Sequence, residues 1–353
     1  MQTLKLAEAL TIRGHEVLLL CATGAILEEK ALEKNLNVRT LPGNKAAAAM
    51  TVRSLLKSHS FEVIHTHLSN DLGALAPGIK LANWGGKLFL TKRMGSSVSK
   101  KDLLHRALYA RLDGVFAISN YIRENVLATC PVNPEKVKLL PNALEIAAYN
   151  PDFYDRWAIR RELFSDPDTI VVGMIGRMTP KKGHREFLQA ATIVKRVAKQ
   201  KVLFVIVGNA SRGETEYEAD LHRLATDELG LKNDIIWTGF RNDIPRLLSA
   251  MDILAFPSHR EAFGTTLLEA MAMCVPIVGS NSGGVPDIVE NKKTGLLVPP
   301  QDPKALAGAL LKLIRNKELR KQYGISGRMR VEEKFDLERH IMRLENYYQK
   351  GIG

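Results

Sequence analysis

The chain has 353 residues, 45% hydrophobic and 25% charged. The length predicts two domains of ordinary size, and the composition excludes an intrinsically disordered protein. The sequence contains no apolar run of about 18 residues and no signal-peptide pattern, so we expect neither an integral membrane protein nor a secreted one.

Positive charge is the most distinctive property of the composition. The net charge is +12, and the densest basic segment covers residues 92–111. Such an excess favours a phosphorylated substrate, an anionic membrane surface or nucleic acid, with a merely basic surface as the alternative. Aromatic residues make up only 6% and are not interleaved with the basic segment, so we expect no nucleic acid partner.

The three cysteines are isolated from one another. Cys21, Cys130 and Cys274 have neither the spacing of a zinc site nor that of a disulfide framework. We therefore expect buried free thiols in a reducing, cytoplasmic compartment.

Short runs rich in valine, isoleucine and leucine recur along the chain and alternate with helical patterns. Continuous apolar runs indicate strands buried on both faces, which are typical of parallel sheets covered by helices. The predicted strands are 17–20, 38–41, 63–65, 88–91, 115–118 and 137–140 in the first half, and 170–175, 202–207, 235–238, 253–256, 277–279 and 296–298 in the second. The sequence therefore predicts an α/β fold with two doubly wound, Rossmann-like domains.

A polar segment near residue 150 separates the two sets of strands. We expect a first domain over residues 1–150, a second over 151–335, and a C-terminal helix over 336–353 that packs back toward the first domain. The first predicted element is a helix over 2–13, whereas a doubly wound domain normally begins with a strand and a glycine-rich turn. We therefore expect either that such a strand precedes Met1 in the natural protein or that the chain is a truncated form with impaired function.

A basic loop follows the predicted strand at 170–175. Gly176 and Arg177 come directly after this strand, and Lys182 and Gly183 precede a helix. Because ligands of parallel α/β sheets bind at the carboxyl ends of strands, Arg177 and Lys182 are candidates for binding a diphosphate. A basic surface loop is the alternative.

Two glutamates lie eight residues apart after the fourth predicted strand of the second domain. Gly264 places a helix start near Thr265, so Glu261 lies on the loop and Glu269 lies one turn into the helix. This arrangement can direct both carboxylates toward one ligand, and the helix N-terminus can bind an anion. A capping box formed by Thr266 and Glu269 is the alternative for Glu269, but it does not explain Glu261.

Other strand ends carry weaker signals. Glycines follow several strands of the second domain, as at Gly239 and at Gly283-Gly284. In the first domain His67 follows a strand, where it could hydrogen-bond a sugar hydroxyl or transfer a proton. A structural histidine is equally consistent with this position, and His65, inside the strand, is expected to pack.

In combination these motifs resemble the retaining glycosyltransferases of family 4. The resemblance rests on Gly176-Arg177, on Lys182-Gly183 and on the spacing of the two glutamates, and it covers essentially the whole chain. Further motifs that follow the family's order are Arg13-Gly14-His15-Glu16-Val17, His65-Thr66-His67, Ile118-Ser119, Pro141-Asn142, 237–240 and 283–287. The resemblance implies the GT-B architecture, in which two Rossmann-like domains face each other across a cleft.

The resemblance also implies a role for each candidate residue. Arg177 and Lys182 would bind the donor diphosphate, and Glu269 would bind the ribose. Glu261 would contact the donor sugar, and His67 would lie near the reacting centre as the other catalytic residue. The remaining assignments are donor contacts from Gly239, Phe240, Arg241, Phe263, Gly264 and Thr265, and acceptor contacts from Arg93 and Asn142.

The implied reaction moves a sugar from a nucleotide diphospho-sugar to a glycan or glycolipid acceptor with retention at the anomeric carbon. Residues 92–99 resemble the corresponding segment of transferases that act on lipopolysaccharide, so the resemblance implies a lipid-linked or lipopolysaccharide-type acceptor. Because cations and a helix N-terminus can stabilise the leaving diphosphate, we expect no metal and no other cofactor. A nucleotide-sugar epimerase and a binding protein without turnover are the alternatives. We expect a cytoplasmic protein of cell-envelope polysaccharide biosynthesis that docks at an anionic membrane face through residues 92–111.

Overall fold

The computed structural model describes residues 2–163, 168–211 and 213–351, which form two compact units. The first unit comprises Met1–Asn142 and Glu338–Gly353, and the second comprises Ala143–Leu337. The boundary therefore lies after Asn142 rather than after residue 150. The reason is that the Leu144 N–H donates to the Phe335 carbonyl (2.8 Å), and the Leu337 N–H donates to the Leu144 carbonyl (3.0 Å), which ties residues that follow Asn142 to the second unit.

The first unit contains six parallel strands divided between two sheets. The strands are β1 Leu19–Ala22, β2 Val38–Leu41, β3 Val63–Thr66, β4 Lys87–Lys92, β5 Gly114–Ala117 and β6 Val137–Leu139. Helix α1 Gln2–Ile12 precedes β1, and the helices between the strands are α2 Ile26–Glu33, α3 Lys45–Ser58, α4 Leu72–Ala82, α5 Leu103–Ala110 and α6 Asn120–Thr129. One sheet pairs β1 with β2, and the other has the order β3-β4-β5-β6.

The division into two sheets differs from the single sheet that a doubly wound domain predicts. Within the described residues no strand connects β1 and β2 to the sheet that begins at β3. A small apolar cluster of Leu4, Ala7, Leu19 and Ala31 instead packs α1 against β1 and α2. The expectation of a further strand before Met1 stays a prediction.

The second unit is a six-stranded parallel sheet covered by helices. Its strands are β7 Ile170–Ile175, β8 Val202–Val207, β9 Ile235–Trp237, β10 Ile253–Phe256, β11 Ile277–Ser280 and β12 Gly295–Val298. Its helices are α7 Arg156–Leu163, α8 His184–Val197, α9 Thr215–Arg223, α10 Ile244–Ala250, α11 Thr265–Ala272, α12 Val285–Ile288, α13 Pro303–Arg315 and α14 Lys317–Lys334. The strand order is β12-β11-β10-β7-β8-β9.

The prediction of two parallel, Rossmann-like α/β units is confirmed. The two central strands, β7 and β10, are buried almost throughout, as the continuous apolar runs predict. Helices cover the sheet, and one apolar cluster joins strand residues such as Val172 and Ile206 to Phe187 of α8 and Leu310 of α13. No helix in the described part of the chain is both long and apolar enough to cross a bilayer.

The last helix, α15 Leu337–Lys350, returns to the first unit. The Tyr348 hydroxyl lies 2.6 Å from Nδ1 of His65 on β3, and Lys87 Nζ donates to the Tyr348 carbonyl (2.9 Å). Arg13 donates two hydrogen bonds to Glu345 (2.8 and 2.9 Å) and lowers the pKa of this carboxyl group to about 2. The motif that begins at Arg13 in the sequence therefore anchors α15 through Glu345.

Candidate functional site

The second unit brings two loops together at the centre of its sheet. Strand β7 pairs with β8 on one side and with β10 on the other, so chain order reverses between β7 and β10. Ligands of open α/β sheets bind at such a point, beyond the carboxyl ends of the strands. The loops that follow β7 and β10 carry Lys182 and Glu261, respectively.

Lys182 and Glu261 form an ion pair. Lys182 ends a short 3₁₀ turn, Pro180–Lys182, and its Nζ donates to Oε2 of Glu261. The two side chains are only 26% and 18% exposed, and Lys182 Nζ also lies 5.7 Å from the centre of the Phe256 ring. Lys182 and Glu261, both predicted to contact the donor, therefore pair with each other in a partly desolvated position. An anion that binds here would compete with the Glu261 carboxylate for the Lys182 ammonium group.

Gly183 allows the loop that carries Lys182 to approach the end of β10 closely. Its φ is +82°, and a Cβ atom there would lie 2.2 Å from the Pro257 carbonyl oxygen. Gly183 is the N-cap of α8, and no side chain caps this helix. The first amide groups of a 14-residue helix therefore lie beside Lys182 without a side-chain acceptor, which is the arrangement that binds anions at helix N-termini.

Gly283 packs against the backbone of the loop that carries Glu261, which we call the glutamate loop. Its φ is +60°, and a Cβ atom there would lie 2.2 Å from the Glu261 carbonyl oxygen. The neighbouring Gly284 N–H donates to the same oxygen at 2.8 Å. The two glycines of the predicted turn therefore fix the backbone of Glu261.

The capping-box interpretation of Glu269 is wrong. Helix α11 begins at Thr265 with Gly264 as its N-cap, so Thr266 lies inside the helix and cannot cap it. The Glu269 carboxylate instead accepts a hydrogen bond from the Tyr149 hydroxyl at 3.1 Å. Burial and the negative charge of Glu269 both raise the pKa of Tyr149, which remains a neutral hydrogen-bond donor.

The remaining donor-side candidates have different surroundings. Arg177 is exposed, whereas the Arg241 guanidinium forms two hydrogen bonds with Asp243 (2.8 and 2.6 Å). The Phe240 side chain is 73% exposed, and the Phe263 ring is buried in the core, so only the backbone of Phe263 could reach a ligand. Gly239, Gly264 and Thr265 are partly exposed at strand or helix ends.

The first unit brings together the other three candidates. Arg93 Nη1 donates to the Asn142 side-chain oxygen (2.8 Å), and Arg93 Nη2 lies 3.3 Å from His67 Nδ1. Burial lowers the pKa of Arg93 to about 10, and its Nε is buried with no partner among the described residues. His67, Arg93 and Asn142 therefore form one polar cluster beyond the carboxyl ends of β3, β4 and β6.

The protonation of His67 follows from this contact. Burial and the Arg93 cation lower the pKa of His67 to about 3, so the ring is neutral at neutral pH. Since Arg93 donates to Nδ1, the proton of the neutral ring lies on Nε2. A neutral ring with this tautomer can donate a hydrogen bond from Nε2 to a ligand oxygen.

His65 packs inside the first unit as expected, and its ring lies against that of His67. Its Nε2 lies 2.7 Å from the Thr91 hydroxyl and its Nδ1 contacts Tyr348, so both ring nitrogens have partners. The His65 and His67 ring centres are 4.5 Å apart.

Two polar residues of the second unit escaped the sequence analysis. Tyr149 contacts Glu269 across 120 positions of sequence, and no local pattern indicates such a contact. His184 is fully buried at the start of α8, and neither ring nitrogen has a partner among the described residues. Its position directly after the Lys182-Gly183 motif is the signal that could have identified it.

The described residues contain no cluster of three or more histidine, cysteine, aspartate or glutamate side chains that could hold a metal ion.

A family model matches each of the two units. Residues 1–148 match the family model described as "Glycosyltransferase Family 4", and residues 155–330 match "Glycosyl transferases group 1". Only the segments 149–154 and 331–353 lie outside the two matches.

Individual relatives are more distant. The capsular polysaccharide biosynthesis glycosyltransferase CapM of Staphylococcus aureus is 29% identical over 69% of this chain, and the match spans 62% of CapM. The UDP-Gal:α-D-GlcNAc-diphosphoundecaprenol α-1,3-galactosyltransferase of Escherichia coli is 27% identical over 76% of this chain and 70% of its own length. A crystal structure of a glycosyltransferase from Rickettsia africae matches with a TM-score of 0.89 at 21% identity, covering 99% of this chain and 93% of that one.

Proposed function

Because the chain belongs to the glycosyltransferases of family 4, we propose that it transfers a sugar from a nucleotide diphospho-sugar to a glycan or glycolipid acceptor with retention of configuration. The observation that carries this function is the Lys182–Glu261 ion pair. It lies beside the N-terminus of α8, at the carboxyl ends of β7 and β10, and it combines a cation for a diphosphate with a carboxylate for a sugar.

The positive groups of this site suit the leaving group. When the bond between the sugar and the diphosphate breaks, negative charge develops on the diphosphate oxygens. Lys182, the exposed Arg177 and the amide groups at the start of α8 would stabilise this charge. We therefore propose that the reaction requires no divalent metal.

The role of Glu261 follows from its pairing. A diphosphate that binds the Lys182 ammonium group displaces the Glu261 carboxylate from it. The Glu261 carboxylate then stabilises the positive charge that develops on the donor sugar. Retention follows if the acceptor oxygen attacks from the face that the diphosphate leaves. The bond from the anomeric carbon to the diphosphate breaks, the bond to the acceptor oxygen forms, and the acceptor proton moves to the departing diphosphate oxygen.

The relatives indicate the class of donor and acceptor. The E. coli relative is named for a UDP-sugar donor and a diphosphoundecaprenol-linked acceptor, and the S. aureus relative for capsular polysaccharide biosynthesis. By this similarity we assign the chain to envelope glycan assembly at the cytoplasmic membrane face, with a lipid-linked or polysaccharide acceptor.

A thermal-shift panel of UDP, GDP, ADP and their sugars tests the donor assignment. A ligand at a hundredfold excess over its Kd stabilises the protein by about 2.7 kcal/mol, which is readily measured. Incubation of the selected nucleotide-sugar with and without acceptor, in the presence of EDTA, then tests transfer, and the anomeric configuration of the product tests retention. Conversion of the nucleotide-sugar without an acceptor would indicate an epimerase, and binding without turnover would indicate a binding protein.

Glu269 provides a sharper test of ribose binding. We expect Glu269→Gln to weaken the affinity for the nucleoside as well as for the nucleoside diphosphate by roughly 1–3 kcal/mol, because a charged acceptor for the ribose hydroxyls is lost. The melting temperature should change little, since Glu269 does not cap α11.

Tyr149→Phe is the matched control for Glu269→Gln. This variant removes the 3.1 Å hydrogen bond to Glu269 and leaves the carboxylate in place. Affinity should then fall less than in Glu269→Gln. Unchanged affinity in Glu269→Gln by isothermal titration calorimetry would remove Glu269 from the donor site.

The surface of residues 94–106 is suited to a membrane that carries the acceptor. Met94, Val98, Leu103 and Leu104 are 69%, 66%, 84% and 66% exposed, respectively. The exposed cations Lys101 and Arg106 lie in the same segment. Apolar side chains that enter a bilayer, flanked by cations that attract anionic headgroups, form a peripheral docking surface.

We expect Leu103→Ser to reduce binding to phosphatidylglycerol vesicles about 10- to 100-fold, because a leucine that enters the bilayer contributes about 1.5–3 kcal/mol. Vesicle cosedimentation measures the effect, and added salt should weaken binding of the wild type. Leu81→Ser, which alters a leucine 55% exposed on α4, is the control and should bind normally. Equal behaviour of the two variants would contradict the docking surface.

A further inference from the structure

Two lysines of the first unit converge on one serine. Lys92 is the last residue of β4, and its Nζ lies 3.3 Å from the Ser69 hydroxyl oxygen. Lys100 Nζ lies 3.2 Å from the same oxygen. Ser69 begins the turn after β3, two residues beyond His67, so this cluster adjoins the His67–Arg93–Asn142 cluster.

The cluster carries positive charge without a balancing carboxylate. Among the described residues no carboxylate oxygen lies within 4 Å of Lys92, Arg93 or Lys100. The nearby Asp71 accepts a hydrogen bond from Thr66 (2.8 Å). A serine hydroxyl is neutral and cannot compensate two ammonium groups, so the cluster is electrostatically incomplete.

Burial makes this imbalance costly. Lys92 is only 7% exposed, and desolvation lowers its pKa. The nearby Cys130 opposes this shift, and the Lys100 charge adds to it. A lysine is rarely buried to this extent unless it has an anionic partner. Most surface lysines of the chain, by contrast, remain largely exposed, as Lys101 does.

We propose that Lys92, Lys100 and Ser69 form a binding subsite for a phosphate group carried by the acceptor. This inference rests on the proposed function, and it specifies an acceptor with a phosphate monoester or diester near the hydroxyl that is glycosylated. A phosphate offers several oxygens and up to two negative charges, so it can pair with both ammonium groups at once and accept a hydrogen bond from the Ser69 hydroxyl. Its position beyond the carboxyl ends of β3 and β4 is where a parallel sheet binds ligands.

The test uses the full chain with Arg177→Ala and Lys182→Ala, so that phosphate binding at the proposed donor site is removed. Thermal stability is measured against increasing sodium phosphate at constant ionic strength, with chloride as the replaced anion. We expect phosphate to stabilise this protein. Adding Lys92→Met or Lys100→Met should raise the concentration for half-maximal stabilisation about tenfold, as expected for the loss of one charged hydrogen bond.

Lys101→Met is the matched control, because it removes the adjacent, exposed lysine. It should leave the phosphate effect unchanged. An equal loss in Lys101→Met would show general electrostatic attraction, and an unchanged effect in Lys100→Met would overturn the subsite. If Lys92→Met does not fold, Lys100→Met and Ser69→Ala decide the outcome, because both positions are partly exposed.

Two soluble esters separate the sources of the phosphate. Glucose 6-phosphate represents a sugar monoester, glycerophosphoglycerol represents a lipid headgroup diester, and glucose is the uncharged control. Stabilisation by either ester, lost in Lys100→Met, supports the acceptor subsite and identifies the type of ester. Stabilisation by inorganic phosphate alone would overturn it. Nucleotide binding to the wild type is measured separately, so a failure of the donor assignment is distinguishable from a failure of this subsite.

Discussion

Replacement of Lys182 by alanine is expected to weaken binding of the nucleoside diphosphate about 10- to 100-fold while leaving binding of the nucleoside unchanged. A charged hydrogen bond lost from a partly desolvated site costs about 1.5–3 kcal/mol, which corresponds to this range. The same substitution leaves Glu261, only 18% exposed, without its cation, and the freed carboxylate then repels the diphosphate. Isothermal titration calorimetry with UDP and uridine, or with the pair that the ligand panel selects, measures both affinities.

Lys181→Ala is the control for this experiment. Lys181 is exposed, and its backbone carbonyl accepts from the His259 N–H (2.9 Å), which the substitution preserves. The affinity of the Lys181→Ala variant for the diphosphate should stay within about fivefold of the wild type, since an exposed charge contributes less than 1 kcal/mol. Equal losses for nucleoside and diphosphate in Lys182→Ala would instead indicate a damaged fold and would contradict diphosphate binding by this residue.

Replacement of Gly283 by alanine is expected to lower the free energy of unfolding by roughly 2–5 kcal/mol and to weaken donor binding. The left-handed backbone costs an alanine about 1–2 kcal/mol. The added Cβ also lies 2.2 Å from the Glu261 carbonyl oxygen, so the glutamate loop must shift at a further cost of about 1–3 kcal/mol. Urea denaturation gives the stability, and the titration above gives the affinity.

The chain offers a close control for Gly283→Ala. Gly230 has a φ of +64°, and a Cβ atom there would meet nothing within 4 Å. Gly230→Ala therefore carries the backbone strain without the clash and should lose only about 1–2 kcal/mol. If the two variants are equally stable and bind the donor equally, the contact between Gly283 and Glu261 does not position the loop.

The strands were predictable because their sequence signal is local. Residues 170–175 and 202–207 are apolar without interruption, and β7 and β8 have the predicted bounds. The start of α11 at Thr265 was also predictable from a local signal. Its N-cap, Gly264, has a φ of +98°, a backbone conformation that favours glycine. Motif order then located the candidate site residues on the strand ends.

The contacts that sequence could not reveal are those between distant segments. The pairing of Leu144 with residues 335–337 sets the boundary of the second unit, and no feature of residues 143–149 indicates it. The capping interpretation of Glu269 failed for a related reason: a local pattern matched, but a left-handed glycine already occupied the cap. The contact between Lys92 and Ser69, which lies in the turn after β3, likewise joins residues 23 positions apart.

The return of α15 to the first unit affects how the protein is made. During translation, residues 1–142 leave the ribosome first, but the helix that completes their packing follows only after residues 143–337 have been synthesised. At about 5–20 residues per second, this delay is on the order of 10 s. During that interval His65 lacks the Tyr348 hydroxyl and Arg13 lacks Glu345. The second unit, which is continuous in sequence, has all of its residues before α15 is complete, so it can finish its packing before the first unit does.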